Sequence, residues 1–514
     1  MRTSGVKRKF VMKRELPARP DIEQLKRQAK DLLKSFKSGE TAAIERIRQN
    51  HPRSEIAGAK PRLSDAQVVI AREYGYESWP KLKAAVENIL LDRSDPVELI
   101  HEAFQTDNAS LVRKLLARHP EIKAMINEPV AQAFDSPPIT LVKSRAMLDL
   151  LLAAGADINA KSRWWAGGFG LLHSASPDLA RYAIERGAAV DAHAAARLGD
   201  LERLRQIVAR EPESVHARGG DGQTPLHFAA NVEIASFLLD RGAEIDARDV
   251  DHESTPAQYM VKNRQDVARH LIARGCKTDI LMAAALGDLA LTKQHLTADP
   301  ECIRIRVSEE YFPMIGGKSG GTIYQWELGW HVSPHRVAKQ FGHRDVFQWL
   351  MEHSPAEVQL VNATWLGDAP LVRALLAARP NLIEALSGTE RRQLGHAARN
   401  NDTSAAALMI ETGWPVDVRV QHNATPLHWA AWHGNTKLVK LLLAKNPPLE
   451  DTQNDFSGTP MRWAIHGSEN GWFCKTGDYA GTVAALLASG AKPPEKASGT
   501  EAVKGVLQGA GVPG

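Results

Sequence analysis

The feature that most constrains this chain is a short phrase that occurs repeatedly along it. The phrase TPLHFAA at Thr224–Ala230 reappears almost unchanged as TPLHWAA at Thr425–Ala431. Looser copies begin at Thr255, Ser333 and Thr459. Such self-similarity is typical of a chain that stacks one supersecondary unit many times, because a single unit cannot bury its apolar face alone. Most of the 514-residue chain is therefore expected to fold as stacked repeats.

Each repeat contains signals for two short helices and for the turn that follows them. Thr224 and Thr425 are suitable N-caps, and the next residues, Pro225 and Pro426, fit the first helical position, where no N–H is needed. Gly242 follows a second apolar helix, at a position where the backbone must turn left-handed. The same position in other repeats is occupied by Gly155, Gly187, Gly275 and Asn446.

Together, the GxTPLH phrase and closing segments such as LLLAAGADINA at Leu150–Ala160 resemble the ankyrin repeat. The resemblance implies an all-α fold: an ankyrin-repeat solenoid of stacked helix pairs with β-hairpin fingers. The number of pairs expected between residues 95 and 492 is roughly eleven, at about 33 residues each with several shortened or enlarged. The resemblance also implies that His227 and His428 are structural, with rings that hydrogen-bond to backbone and tie neighbouring repeats together.

The two ends of the chain do not follow the repeat pattern. Residues 1–20 hold seven Lys or Arg against one acidic residue and are expected to form a disordered basic leader. Residues 21–92 contain amphipathic helix patterns and are predicted to form a helical cap on the first repeat. This segment resembles the helical leader of bacterial-type ankyrin arrays. Residues 493–514 are predicted to be a C-terminal capping helix and tail.

The repeat array itself is predicted over residues 93–492, and three insertions interrupt it. They lie at 161–170, 306–332 and 466–481, and each combines Gly with Trp, Phe or Tyr. The first two replace or enlarge a finger, whereas the third widens the turn between two helices. Insertions in repeat proteins map to loops and often to the binding face.

Composition and motifs argue against several classes of function. Three widely spaced cysteines without CxxC predict neither a disulfide framework nor a thiolate zinc site. No apolar run is long enough to span a membrane, and neither HExxH nor GxxxxGK[ST] occurs. The chain is therefore expected to be cytoplasmic and non-enzymatic, with no cofactor, no metal and no membrane association.

The aromatic residues of the insertions and the ends of the first helices are the candidate binding surface. Trp and Tyr bury a large area at little rotamer entropy, so they serve as anchors in protein interfaces. Residues at the ends of first helices are expected to face the concave groove. The predicted partner-binding residues are Trp164, Trp165, Phe169, Tyr324, Trp326, Trp330, Gln340, Phe341, Trp432 and His433. We expect a monomer that binds a protein partner.

Three other interpretations stay open. The aromatic side chains of an insertion could instead fold back and fill the base of their own loop. The insertions could recognise a small ligand or a glycan. The basic N-terminal region, including a helix-turn-helix-like spacing within Asp65–Asn88, could tether nucleic acid, although we do not expect nucleic acid to be the partner.

Overall fold

The computed structural model describes residues 14–17, 20–53, 61–93, 95–130 and 133–514. Most of the predicted basic leader, residues 1–20, lies outside these ranges. Within them the chain is helical, and its only β-structure is three isolated bridges, Val130–Ser136, Lys161–Gly170 and Val420–Ala424. The chain forms two compact units, Met1–Val190 and Asp191–Gly514. None of the described helices is both long enough and apolar enough to cross a membrane.

The described part of the N-terminal unit contains eight α-helices. They are α1 Ile22–Lys37, α2 Thr41–Asn50, α3 Leu63–Glu73, α4 Trp79–Arg93, α5 Pro96–Gln105, α6 Ala109–Arg118, α7 Arg145–Ala153 and α8 Pro177–Glu185. The first four enclose a core of their own, which includes Leu25, Leu32 and Ile70. An ion pair between Lys114 of α6 and Glu87 of α4 joins this four-helix cluster to the first repeat pair.

The C-terminal unit contains twenty α-helices. They are α9 Ala192–Leu198, α10 Leu201–Arg210, α11 Val232–Asp240, α12 Pro256–Met260, α13 Gln265–Ala273, α14 Ile280–Leu286, α15 Leu289–Ala298, α16 Tyr324–Glu327, α17 Pro334–Gln340, α18 Arg344–Glu352, α19 Ala356–Trp365, α20 Ala369–Ala378, α21 Gly388–Arg391, α22 Gln393–Arg399, α23 Thr403–Glu411, α24 Pro426–Trp432, α25 Thr436–Leu443, α26 Pro460–Asn470, α27 Tyr479–Ala488 and α28 Glu501–Gly509. The last of them, α28, buries Val503 and Leu507 against α27.

Helix pairs recur through both units. Three lie in the described part of the N-terminal unit and nine in the C-terminal unit. In three pairs the first member is only a 3₁₀ turn: Pro138–Leu141, Leu171–His173 and Pro225–Phe228. The TPLH phrase at Thr224 was expected to open an α-helix, so this expectation is wrong for that copy. Only seven residues separate Thr224 from Asn231, the N-cap of the next helix, against ten between Thr425 and Asn435. The shorter spacing leaves no room for a second helical turn.

The residues predicted to turn left-handed at the helix ends all do so. Gly155, Gly187, Gly242 and Gly275 have φ between 91° and 97°, and Asn446 has φ of 53°. This prediction is confirmed. A Cβ added to Gly242 would have no other atom within 4 Å, so only the backbone conformation disfavours a larger residue there.

Replacing Gly242 by Val should lower the free energy of unfolding by about 1–2 kcal/mol, because a β-branched residue is strained at positive φ. Gly242→Asn is the matched control and should be destabilised less, since Asn tolerates this conformation. Chemical denaturation of both variants measures the difference. Equal stability of Gly242→Val and wild type would contradict the prediction.

Candidate functional site

In both copies of the TPLH phrase, the histidine joins its own repeat to the next one. In the first copy the Thr224 backbone N–H donates to Nδ1 of His227 (3.1 Å), and Nε2–H donates to the carbonyl of Ser254 (3.2 Å). His428 makes the same contacts with the N–H of Thr425 and the carbonyl of Gly458 (3.0 Å). Both acceptor carbonyls belong to the following repeat. Burial lowers the pKa of His227 to about 3, so this ring is neutral near pH 7.

The first aromatic insertion, residues 161–170, is closed at its base. The N–H of Ser162 donates to the carbonyl of Phe169 (2.9 Å), and the N–H of Phe169 donates to the hydroxyl of Ser162 (2.9 Å). Trp164 packs edge-on against Phe134, with ring centroids 5.3 Å apart. Trp165 is 41% exposed, whereas Trp164 and Phe169 are half-buried. Trp165 is therefore the accessible aromatic of this insertion.

The second insertion, residues 306–332, places its aromatic side chains in opposite environments. Trp326 is 66% exposed, whereas Tyr324 is completely buried. The hydroxyl of Tyr324 donates to the carboxylate of Asp279 (2.9 Å), and the Phe312 ring packs edge-on against it. The expectation that Tyr324 contacts a partner is therefore wrong, because the side chain fills the base of its own loop.

Trp330, Gln340 and Phe341 lie at intermediate or exposed positions. Trp330 is half-buried and stacks on His331, with ring centroids 5.4 Å apart. Gln340 is exposed at the end of α17, and the half-buried Phe341 lies parallel to the ring of His343. The described contacts do not bring Gln340 or Phe341 together with the aromatic residues of the insertions.

His433 is 1% exposed and unavailable to a partner, so its assignment as a contact residue is also wrong. Its Nε2–H donates to the carbonyl of Arg399 (2.7 Å). That bond joins the turn after α24 to the end of α22, in the preceding repeat. Burial lowers the pKa of His433 to about 4, so the ring is neutral near pH 7.

Trp432 belongs to an aromatic pocket that was not predicted from the sequence. The pocket is a cavity of about 400 Å³ in the C-terminal unit. We use the name aromatic pocket for the set that lines it: His422, Trp429, Trp432, Phe456, Gly458, Arg462, Trp463, His466 and Trp472. These residues come from the turn before α24, from α24, from α26, and from the loops on either side of α26.

Repeat geometry brings the pocket's tryptophans together. Trp429 and Trp463 each lie four residues after a repeat-opening threonine, so stacking of the repeats makes them neighbours, with ring centroids 5.3 Å apart. Trp472, in the third insertion, stacks on Trp429 at 5.9 Å. Trp432 packs edge-on against Trp463 at 6.1 Å. The shared position of Trp429 and Trp463 was the sequence signal that could have revealed the pocket.

The rim of the aromatic pocket is apolar and exposed. Phe456 is 63% exposed and Trp472 is 62% exposed, whereas Trp429 is only 3% exposed. Large exposed aromatic side chains next to a cavity are a typical feature of interaction sites. The pocket therefore offers two accessible anchors around a preformed depression.

The polar groups of the aromatic pocket are mainly hydrogen-bond donors. The indole N–H groups of Trp429 and Trp432 have no acceptor among the described residues. None of the side chains that line the pocket is a carboxylate or a carboxamide. The guanidinium of Arg399 lies 5.6 Å from the ring of Trp429 and 5.7 Å from that of Trp472, a cation–π arrangement. An occupant with carbonyl acceptors and apolar surface matches this lining.

A group of possible metal ligands occurs beside the second insertion. Ligand atoms of Asp221, Asp251 and His252 lie within 4.8 Å of one another. Asp251 accepts from the N–H of Gly320 (2.9 Å), and His252 Nδ1–H donates to the carbonyl of Gly321 (2.9 Å). These two side chains therefore hold the insertion against the repeat, and we assign no metal here.

The family model described as "Ankyrin repeats (3 copies)" matches residues 192–301, 360–455 and 394–493. Residues 192–301 and 360–493 of the chain are ankyrin repeats. The ankyrin matches include the TPLH phrases and the whole aromatic pocket, and they leave out the insertion at 306–332.

Known relatives match shorter stretches. The chain is 24% identical over 150 residues to the mouse protein "Ankyrin repeat and SAM domain-containing protein 6", covering 28% of this chain and 16% of that protein. It is 35% identical over 88 residues to "E3 ubiquitin-protein ligase XB3" of Oryza sativa subsp. japonica, covering 17% and 20%. It is 27% identical over 85 residues to "Palmitoyltransferase Hip14" of Drosophila melanogaster, covering 16% and 12%. The chain thus spans a fifth or less of the length of these relatives.

Proposed function

We propose that this ankyrin-repeat protein is a non-enzymatic, monomeric and cytoplasmic scaffold that binds a protein partner. Stacked repeats present an extended surface, and repeat proteins use such surfaces for binding. The observation that carries the proposal is the aromatic pocket, with Phe456 and Trp472 exposed at its rim. Trp165 and Trp326 are further exposed aromatics, on the finger insertions. The four-helix cluster of α1–α4 serves as the N-terminal cap, and Trp330, Gln340 and Phe341 extend the contact surface along the groove.

The lining of the aromatic pocket indicates what part of a partner it receives. It offers indole walls and N–H donors without a carboxylate, so a basic side chain would find no ionic partner there. An apolar peptide segment suits it better, because aromatic or prolyl side chains pack against indoles while backbone carbonyls accept hydrogen bonds. A small ligand is the second candidate, because a cavity of about 400 Å³ is within the range of ligand sites.

Replacing Trp472, Trp326 or Trp165 by Ala should weaken binding of the partner by about 2 kcal/mol or more for each residue that acts as an anchor. The melting temperature should change little, because Trp326 and Trp472 are largely exposed and Trp165 is 41% exposed. The partner is first captured from native lysate, and its affinity for each purified variant is then measured by calorimetry. Trp349→Ala is the control, because Trp349 stacks on His353 at the end of α18, away from the insertions.

Two results would contradict the scaffold proposal. One is unchanged affinity in all three variants for every partner recovered. The other is a small molecule that copurifies with the wild type and is lost in Trp472→Ala, which would favour the small-ligand alternative. Native mass spectrometry of the purified chain detects the second case.

A further inference from the structure

A second cavity of the C-terminal unit, of about 410 Å³, is lined by four arginines and two glutamates. Its wall is built by the second insertion and by the segment from α21 to the turn before α24. We use the name basic cavity for the set Arg306, Ser308, Glu309, Glu310, Tyr311, Trp330, His331, Thr389, Arg392, Gln393, His396, Arg399, Arg419, Val420 and Gln421. Apart from Trp330, the proposed scaffold function does not use the residues of this cavity.

Three buried groups of the basic cavity have polar atoms without a hydrogen-bond partner among the described residues. They are Nη1 of Arg306, the hydroxyl of Ser308 and Nδ1 of His396. Arg306 is only 4% exposed, Ser308 is 7% exposed and His396 is 9% exposed. Buried polar groups are normally hydrogen-bonded, and a buried charge without a partner is especially unfavourable. Three such groups around one cavity therefore indicate a binding site for a polar ligand.

Arg306 makes no ion pair with any described carboxylate, although Glu310 and Glu390 are close enough to influence it. Those carboxylates have other partners: Glu310 accepts from Thr389 (2.7 Å) and pairs with Arg392 (3.5 Å), and Glu390 pairs with Arg304. Burial lowers the pKa of Arg306 to about 10, so the guanidinium is still charged at pH 7. The cavity therefore holds a permanent positive charge with an unused donor.

Arg399 is a second guanidinium of the basic cavity that makes no ion pair among the described side chains, and its strongest attraction is to the exposed Glu309. Arg419 differs, because it pairs with Asp451 at 2.7 Å. Arg399 donates to the carboxamide of Gln421 and lies over the ring of Trp330. Neither Arg306 nor Arg399 has an ion pair within the described ranges, so together they favour a ligand with two negative charges. A phosphomonoester supplies close to two charges and three acceptor oxygens, and the planar guanidinium matches it with paired hydrogen bonds.

We propose that the basic cavity binds the phosphate group of a small phosphomonoester. Arg306 and Arg399 neutralise the dianion, and the hydroxyl of Ser308 donates to one of its oxygens. Trp330 and Tyr311 line the rest of the cavity, which is larger than a phosphate group requires and leaves space for an organic substituent.

The test compares phenyl phosphate, inorganic phosphate and benzoate, each against sodium chloride at equal ionic strength. Calorimetry should show saturable binding of both phosphates to the wild-type chain, with phenyl phosphate the tighter of the two. Benzoate has the same ring but a single charge, and should bind at least tenfold more weakly than phenyl phosphate. Absence of phosphate binding, or equal binding of benzoate, would overturn the proposal.

Variants connect the binding to Arg306. Arg306→Met should weaken phenyl phosphate binding at least tenfold, and it should raise or preserve the melting temperature without ligand, because it removes an unpaired buried charge. Arg373→Met, on the exposed face of α20, makes the same charge change outside the cavity and should keep the affinity. If Arg306→Met does not fold, Ser308→Ala and Arg306→Lys replace it, and each should weaken the binding of phenyl phosphate. Unchanged affinity in a folded Arg306 variant would overturn the proposal.

Discussion

Lowering the pH from 7 to 5 should destabilise the C-terminal unit by several kcal/mol. Four histidines whose pKa values are strongly lowered in the folded state are the main cause. Burial lowers the pKa of His227, His331 and His335 to about 3, and that of His433 to about 4. The same side chains titrate near pH 6.5 in the unfolded chain. Between these values the unfolded state binds protons that the folded state does not.

The direction of the effect follows from this difference in proton binding. Stability rises with pH wherever the unfolded state binds more protons, so it falls as the pH drops below 6.5. Each of the four histidines contributes about 2 kcal/mol of destabilisation at pH 5. Asp249, Asp279 and Glu327 act in the opposite direction, because burial raises the pKa of each carboxyl and the folded form therefore binds a proton more readily.

Chemical denaturation at pH 7, 6 and 5 measures this dependence. His335→Gln should reduce the slope by up to one proton, because it removes one of the buried rings. His353→Gln is the control for the substitution itself, since His353 is exposed at the end of α18. A free energy of unfolding that is the same at pH 7 and pH 5 would contradict the prediction.

Local features of the repeat could be predicted because they depend on residues close in sequence. A glycine at a helix end, as at Gly242, specifies its own positive φ whatever surrounds it. The histidine contacts of His227 and His428 follow from the family resemblance. The 3₁₀ turn after Thr224 was not predicted, although the early position of Asn231 is a local signal for it.

The cavities could not be predicted in this way, because they join residues far apart in the chain. Arg306 and His396 line one cavity although an intervening stretch of several helices separates them. In the aromatic pocket, the equivalent repeat positions of Trp463 and Trp429 show only that the two are neighbours. Whether a loop residue such as Trp472 covers the two rings depends on the path of the insertion. The sequence of the insertion has no hydrophobic periodicity from which this path could be predicted.

Tyr324 and Trp326 show most clearly that burial within an insertion does not follow from its sequence. They are two residues apart in one insertion, yet Tyr324 is fully buried and Trp326 is 66% exposed. Tyr324→Ala should lower the free energy of unfolding by about 3–5 kcal/mol, because it leaves a large cavity between the insertion and the repeat. Trp326→Ala should change it by less than about 0.5 kcal/mol.

Tyr324→Phe separates the hydrogen bond from the packing. The carboxylate of Asp279 accepts from the Tyr324 hydroxyl (2.9 Å) and from the N–H of Met282 (2.8 Å), at the start of α14. Phe preserves the ring but removes one donor from a buried carboxylate, so it should destabilise the protein by about 1–3 kcal/mol. Because protonation of Asp279 relieves part of this loss, the penalty of Tyr324→Phe should be smaller at pH 5 than at pH 7.

The three variants together decide whether the insertion is anchored by packing. Urea denaturation gives each free energy of unfolding, and near-ultraviolet circular dichroism reports whether the aromatic side chains stay ordered. Tyr324→Ala should be the least stable, Tyr324→Phe intermediate and Trp326→Ala close to wild type. Equal stability of Tyr324→Ala and Trp326→Ala would mean that Tyr324 does not fill the base of the insertion, and that it is available to a partner after all.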